Sequence, residues 1–247
     1  MEKLFIKDYN LEINLPSIVN IIGLPGMGKT HLLKILINQI DNKSIYIDDK
    51  NTSELEMDFK KKNFTACLNL DFNTASVKEE LVYFLGKCDF NIQDSLVKMD
   101  KFIKHFNLDE ISDEKLINLS IYNKALIKIL SLLIIEPKIL GINNLLAYLS
   151  DDQKRQIISY AKKNKITILN ITAEKEEFLL GDYLMIIEKG KVKHYGKTKT
   201  ILADEKLLAL TGFELPFVLN MSNGLNLYEI IDKSYYSLDS LVGAIWK

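Results

Sequence analysis

Gly23-Leu24-Pro25-Gly26-Met27-Gly28-Lys29-Thr30 reads G-x-x-x-x-G-K-T, the pattern of a phosphate-binding loop. Its flanks agree with that reading. Ile18-Val19-Asn20-Ile21-Ile22 before it is β-branched and strand-like, and His31-Leu32-Leu33-Lys34-Ile35-Leu36-Ile37 after it has helical apolar spacing. In a strand–loop–helix unit, backbone N–H groups close around phosphates and the helix N-terminus adds partial positive charge. Lys29 then reaches the β- and γ-phosphates of a nucleoside triphosphate, and the Thr30 hydroxyl ligates Mg²⁺. The expected nucleotide contacts are Gly23, Gly26, Met27, Gly28, Lys29, Thr30 and His31. Of these, His31 is also read as a simple helix-face residue.

The 247 residues carry a formal net charge of −1, which gives no general pull toward nucleic acid. Lysines are matched by acids and read as a solvated surface. Cys67 and Cys88 lack metal-ligand spacing and fit a reducing compartment. Met1 to Asn14 is charged throughout, unlike a signal peptide. The longest apolar run, Ile129 to Ile135, is too short to span a bilayer. Any membrane role therefore goes through a partner.

Alternation in Met1 to Leu15 predicts an antiparallel pair ahead of the loop strand. The helix after the loop is expected to end near Asp41-Asn42. Ser44 to Ile47 and Phe64 to Leu68 read as strands, and Ser76 to Leu119 as a helical insert. A long helix from Ser120 to Ile135 stops before Pro137. Lys138 to Ile142 is a buried strand, and Asp151 is expected to cap a helix to Lys163. Ile166 to Ile171 is the next strand, and Lys189-Gly190 turns a hairpin between Asp182 and Tyr195. This alternation predicts a mainly parallel sheet covered on both faces.

That order of pieces resembles the ATPase subunits of ABC transporters, specifically those of energy-coupling factor (ECF) importers. Leu32 to Leu36 continue the loop as in the family. Leu119 to Leu146 has the layout of signature helix and second acidic motif, and Asp182 to Val192 is similar to the family's D-R-V-I-V-M-x-x-G-K-I hairpin. Gly212 to Phe217 and Leu238 to Trp246 resemble the energy-coupling C-terminus. The resemblance implies an α/β P-loop NTPase of ABC type over 1–211, with a helical subdomain at about 76–135 and a helical extension at 212–247 that contacts another subunit. It further implies ATP and Mg²⁺ as cofactors, a second ATPase subunit in a heterodimer, and an integral membrane transporter subunit. The implied location is peripheral, on the cytoplasmic face of the cell membrane.

Several motifs of that family are altered. The L-S-G-G-Q signature is replaced by Leu119-Ser120-Ile121-Tyr122-Asn123, which puts side chains where bare backbone should approach phosphate. The Asp-Glu of the second acidic motif falls on Asn143 and Asn144. Asn143 has no charge to offset Mg²⁺, and Asn144 cannot act as a base. The switch His falls on Ala173, the D-loop Asp on Ser150, and the Mg²⁺-sensing Gln has at best Asn69 in its place. ATP binding with little or no hydrolysis is therefore expected.

Tyr9 or Phe5 would stack on adenine or simply pack in the core. The pairs Glu176-Glu177 and Asp151-Asp152 read as solvated helix faces. One rival is a soluble small-molecule kinase using Asp48 after the next strand; the single arginine, Arg155, suits poorly the clamp that phosphoryl transfer needs. Another is a scaffold or sensor ordered by ATP.

Overall fold

The computed structural model of the chain describes residues 2–40, 43–88 and 90–246, apart from the side chains of Glu205, Ala209 and Leu210. The N-terminal alternation forms β1 (Lys3–Ile6) and β2 (Leu11–Asn14), paired antiparallel with Leu4 opposite Ile13. β3 (Ile18–Ile22) is buried at every position and feeds α1 (Lys29–Leu36). That helix ends at Leu36, short of the expected stop; Asp41 and Asn42 lie outside the described residues. The cause is Asn38, whose left-handed backbone (φ 59°) closes the helix. Asn38 N–H donates to Ile35 O at 2.9 Å and Gln39 N–H to Lys34 O at 2.8 Å, the bonding of a Schellman end.

β4 (Ile45–Ile47) and β5 (Lys50–Asn51) follow, then α2 (Met57–Asn63) and β6 (Phe64–Cys67). The helical insert forms α3 (Val77–Gly86) and α4 (Ile92–His105), and then comes α5 (Ile121–Leu133). β7 (Ile139–Asn143) leads to α6 (Asp151–Lys163) and β8 (Thr167–Ile171). Ser150, not Asp151, caps α6. Its hydroxyl accepts Gln153 N–H at 3.3 Å while Gln153 Oε1 accepts Ser150 N–H at 3.0 Å, so a reciprocal pair satisfies two orphan donors and Asp151 is left in the first turn. The chain closes with β9 (Tyr183–Glu188), β10 (Lys191–Lys197), α7 (Thr198–Leu202), α8 (Glu205–Thr211), α9 (Phe217–Leu227) and α10 (Leu238–Ile245).

Among the described residues, ten strands make two sheets. The smaller has order β2-β1-β4-β5; the larger has order β10-β9-β3-β8-β7-β6 and is parallel except for β10. The larger sheet's inner strands are near-continuous apolar runs because both faces are covered. One face carries α1, sandwiched against the smaller sheet: Leu33 and Leu36 share a cluster with Leu4, Ile13, Ile45 and Ile171. The other face carries α3 to α6. There α5 is buried from Ala125 through Leu133, since sheet and insert cover it on opposite sides. A third cluster joins Ile22 to Phe178, Leu184, Ile201 and Leu219. Cys67 and Cys88 are both buried, and burial pushes the Cys67 thiol up to about 12.

Candidate functional site

The phosphate loop leaves β3 at Gly23, which sits under the β9 backbone: a Cβ there would fall 2.6 Å from Ile187 O. Gly26 and Gly28 have φ of 77° and 84°. Gly28 precedes α1 directly, and a Cβ on it would meet the Gly190 Cα at 3.2 Å. A side chain at 28 thus carries both left-handed strain and a backbone clash. Met27 is clasped by the hairpin tip. Its carbonyl accepts Gly190 N–H at 2.9 Å, and its Sδ lies 3.3 Å from Lys189 N. α1 has no side-chain cap and no acidic residue in its first turn, so its N-terminus offers donors and positive potential to an anion. Lys29 Nζ donates to Gly23 O at 2.5 Å and Leu24 O at 2.9 Å, which holds the ammonium over the loop. Burial lowers its pKa below the ordinary lysine range, a cost that phosphate charge would offset. Thr30 and His31 are exposed in the first turn, Thr30 beside the loop and His31 on the outer helix face.

Parallel pairing brings the other positions to the same edge. Ile21 lies opposite Ile171, Asn143 opposite Ile171, and Cys67 opposite Ile142, so the ends of β3, β8, β7 and β6 stand side by side. Ligands in open parallel sheets bind at such an edge. Asn143 Nδ2 donates to Leu68 O at 3.4 Å. Asn144 is left-handed (φ 56°), and its N–H donates to Ile171 O at 2.9 Å. Ala173 follows Thr172, whose N–H donates to Ile21 O at 3.2 Å. Asn69 is bonded to Asp71 two residues on. The edge therefore holds one loop cation and neutral Asn143, Asn144 and Ala173, with no carboxylate at those positions.

Ser120 caps α5 itself: its Oγ accepts Asn123 N–H at 3.2 Å. Ile121 and Tyr122 beside it are exposed, with the Tyr122 ring 6.4 Å from Tyr148. The two aromatic candidates separate. The Tyr9 hydroxyl donates to Gly190 O at 2.9 Å, which puts Tyr9 beside the loop; burial raises its phenol pKa. Phe5 instead packs on Tyr46, ring centroids 6.4 Å apart.

Asp48 is occupied elsewhere. Its Oδ1 accepts Glu2 N–H at 2.7 Å and Lys3 N–H at 3.1 Å, and these bonds hold its carboxyl below the usual range. Because Leu4 pairs with Ile47, Asp48 lies at the opposite end of β1 from Tyr9. Arg155 pairs with Asp152 at 2.8 Å on an exposed face of α6.

Two expectations fail. Glu177 is 1% exposed, not a solvated face: its carboxylate meets Lys154 Nζ at 3.2 Å and Asn170 Nδ2 at 3.2 Å. Lys154 and Lys128 are likewise buried lysines. No local sequence signal marks this burial; only the fold shows what surrounds Glu177. A cavity of about 910 Å³ lies away from the loop beside edge strand β6, with Lys60, Lys61, Lys87 and Lys128 among its lining. The cavity touching Gly23, Leu24 and Met27 is about 90 Å³. A phosphate cradle made of backbone is a surface feature, so cavity size does not locate it.

The profile of the ABC transporter family matches residues 6–146, more than half of the chain. The chain is 24% identical over 252 residues to the energy-coupling factor transporter ATP-binding protein EcfA1 of Oenococcus oeni, covering 98% of this chain and 91% of that one. Among solved structures it is similar to cbiO1 from Clostridium perfringens, described as part of the ABC transporter complex cbiONQ. There the TM-score is 0.70 at 20% identity, over 90% of each chain. It also superposes on a dimeric post-hydrolysis state of the ATP-binding cassette MJ0796 bound to ADP and Pi, with TM-score 0.65 at 18% identity over 76% of this chain and 89% of that one.

Proposed function

The chain belongs to the ABC transporter family, and on that premise we propose that it is the ATP-binding subunit of an ECF-type importer that binds MgATP and hydrolyses it poorly or not at all. One observation carries this reading. The phosphate half of the edge is intact, with an uncapped α1, left-handed Gly26 and Gly28 and a poised Lys29, while Asn143, Asn144 and Ala173 fill the hydrolytic half. The donor set fits a triphosphate, with Gly23, Gly26, Met27, Gly28, Lys29 and Thr30 holding it and His31 at the margin. Thr30 fits as one hydroxyl ligand of Mg²⁺, and Asn143 supplies a neutral oxygen where charge would bind the ion more tightly. The bound nucleotide supplies the phosphoanhydride. A general base contributes about 10²–10⁴-fold, and Asn144 has no basic atom to contribute it.

The partners we propose are a second ATPase subunit, in a heterodimer, and an integral membrane transporter subunit. The name of EcfA1, the complex that holds cbiO1 and the dimer of MJ0796 support both. Among the described residues no helix is long and apolar enough to cross a membrane, so attachment to the cytoplasmic face would go through that subunit. The extension at 212–247 is the proposed subunit contact. Leu238, Val242, Ile245 and Trp246 expose 43–84% of their surface, an apolar face of the kind that marks interfaces. Residues 1–211 would form the nucleotide-binding domain, with 76–135 as its helical subdomain.

The kinase alternative loses its acid to the Glu2 and Lys3 amides and its arginine to Asp152. A tagged pull-down from detergent-solubilised native membranes tests the assignment. Recovery of a second ATPase with intact acidic motifs plus a polytopic membrane protein is expected. Recovery only from the soluble fraction, without a membrane partner, would overturn the importer reading in favour of a soluble nucleotide-binding protein.

A further inference from the structure

The 3-10 segment Lys175–Leu180 follows Ala173 and is tied on two opposite sides. Its outer side grips the start of the extension. Lys175 Nζ meets Glu214 Oε2 at 2.5 Å, Glu176 Oε1 accepts Phe217 N–H at 2.9 Å, and the Phe178 ring stands edge-on to Phe213 at 6.0 Å. The Glu176 contact is unusual in kind. α9 begins after Pro216 with no side-chain cap and no acid in its first turn. Glu176, 41 residues earlier, supplies the acceptor and negative charge that a helix ordinarily takes from its own cap.

The inner side is anchored in the sheet. Asn20 Nδ2 donates to Glu177 O at 2.7 Å, Asn170 Nδ2 to Asn20 Oδ1 at 3.0 Å and to Glu177 Oε2 at 3.2 Å, and Lys154 closes the group. All four side chains are buried, so losing any one strands polar atoms of the others and the group is costly to separate. Asn20 lies three residues before Gly23, and Lys154 lies in the first turns of α6. Ile22, the last residue before the loop, packs in one cluster with Phe178 and with Leu219 of α9.

We propose that Lys175–Leu180 is a rigid link through which the phosphate loop and the C-terminal extension report on each other, with Glu177 as its anchor and Glu176 as the positioning residue for α9. The proposal rests on the reading that the loop binds ATP. Nucleotide that shifts the β3 end would move the anchored segment, and α9 with it. By linkage, a partner seated on the extension would change ATP affinity by the same factor.

The test uses the full chain. ATP affinity is measured by titration, and amide exchange across 217–227 is followed with and without MgATP. In the unmodified protein MgATP should change α9 exchange by about fivefold or more. Glu176→Ala should bind ATP as before yet lose that response. Glu176→Gln, which keeps an acceptor for Phe217 N–H, should restore part of it. A response in Glu176→Ala equal to the unmodified protein overturns the link. So does unresponsive α9 in a chain that binds ATP saturably, which leaves the ATP reading standing. No ATP binding in the titration overturns that reading, and the link with it.

Discussion

The ends of β3 and β7 are separated by one strand on the same sheet edge, and the residues that follow them differ in kind. After β3 come three glycines, a lysine and an uncapped helix, a set whose backbone geometry suits an anion. β7 ends in Asn143 and is followed by Asn144; the Asn143 side-chain amide donates to Leu68 O and the Asn144 backbone N–H to Ile171 O. Ser120 repeats the pattern at α5, where its hydroxyl caps its own helix. Binding geometry depends on backbone shape and survives only with its glycines. Hydrolytic chemistry depends on single charged atoms, so a carboxylate can become an amide without disturbing the strand that carries it.

The largest expected effect removes the first half. Lys29→Ala should weaken MgATP binding roughly 100-fold in calorimetric titration, since a charge-assisted contact to phosphate is worth about 1.5–3 kcal/mol. Unchanged affinity would show that the loop is not the site. Next comes an attempt to rebuild the second half. Asn143→Asp with Asn144→Glu should leave turnover at least about 100-fold below a fully equipped site, because Ala173 and the Ile121-Tyr122 face are unaltered. Full activity in a phosphate-release assay would mean that those positions do not matter. Gly28→Ala should cost about 1–2 kcal/mol and lower Tm by several degrees, from left-handed strain and the Gly190 contact.

Smaller effects sharpen the contrast. Ser120→Ala should cost about 1 kcal/mol in denaturant unfolding while ATP affinity stays unchanged, as expected of a cap. A change in affinity without a change in stability would instead make Ser120 a ligand contact. Asp48→Asn should be milder still, below about 1 kcal/mol for so exposed a group. Its carboxyl pKa is lowered in the folded state, so its contribution is present above the unfolded value and is lost as pH falls through the folded one. The stability gap between variant and parent should therefore close in acid. A pH-independent gap would point to packing.

The phosphate loop, its flanking elements and the strand order along the chain were legible because each is written locally: glycine spacing, β-branched runs, a proline stop. The proposed departures at Asn143, Asn144 and Ala173 are read only against the family layout, since no local pattern marks them. What escaped was tertiary. Asn38 ends α1 early through a left-handed turn that composition does not announce. Tyr9 and Phe5 separate only once the turn between β9 and β10 brings Gly190 to the loop. Glu177 looks like half of a surface pair until β3, β8 and α6 surround it with Asn20, Asn170 and Lys154.

The most direct test of binding without turnover is one experiment on the purified, unmodified chain: equilibrium MgATP binding and single-turnover hydrolysis in the same preparation. Saturable binding that Lys29→Ala weakens roughly 100-fold is expected, with the bound nucleotide recovered as ATP. Brisk conversion of bound ATP to ADP and phosphate would contradict it, and would mean that an edge without carboxylates at positions 143 and 144 still prepares water for attack.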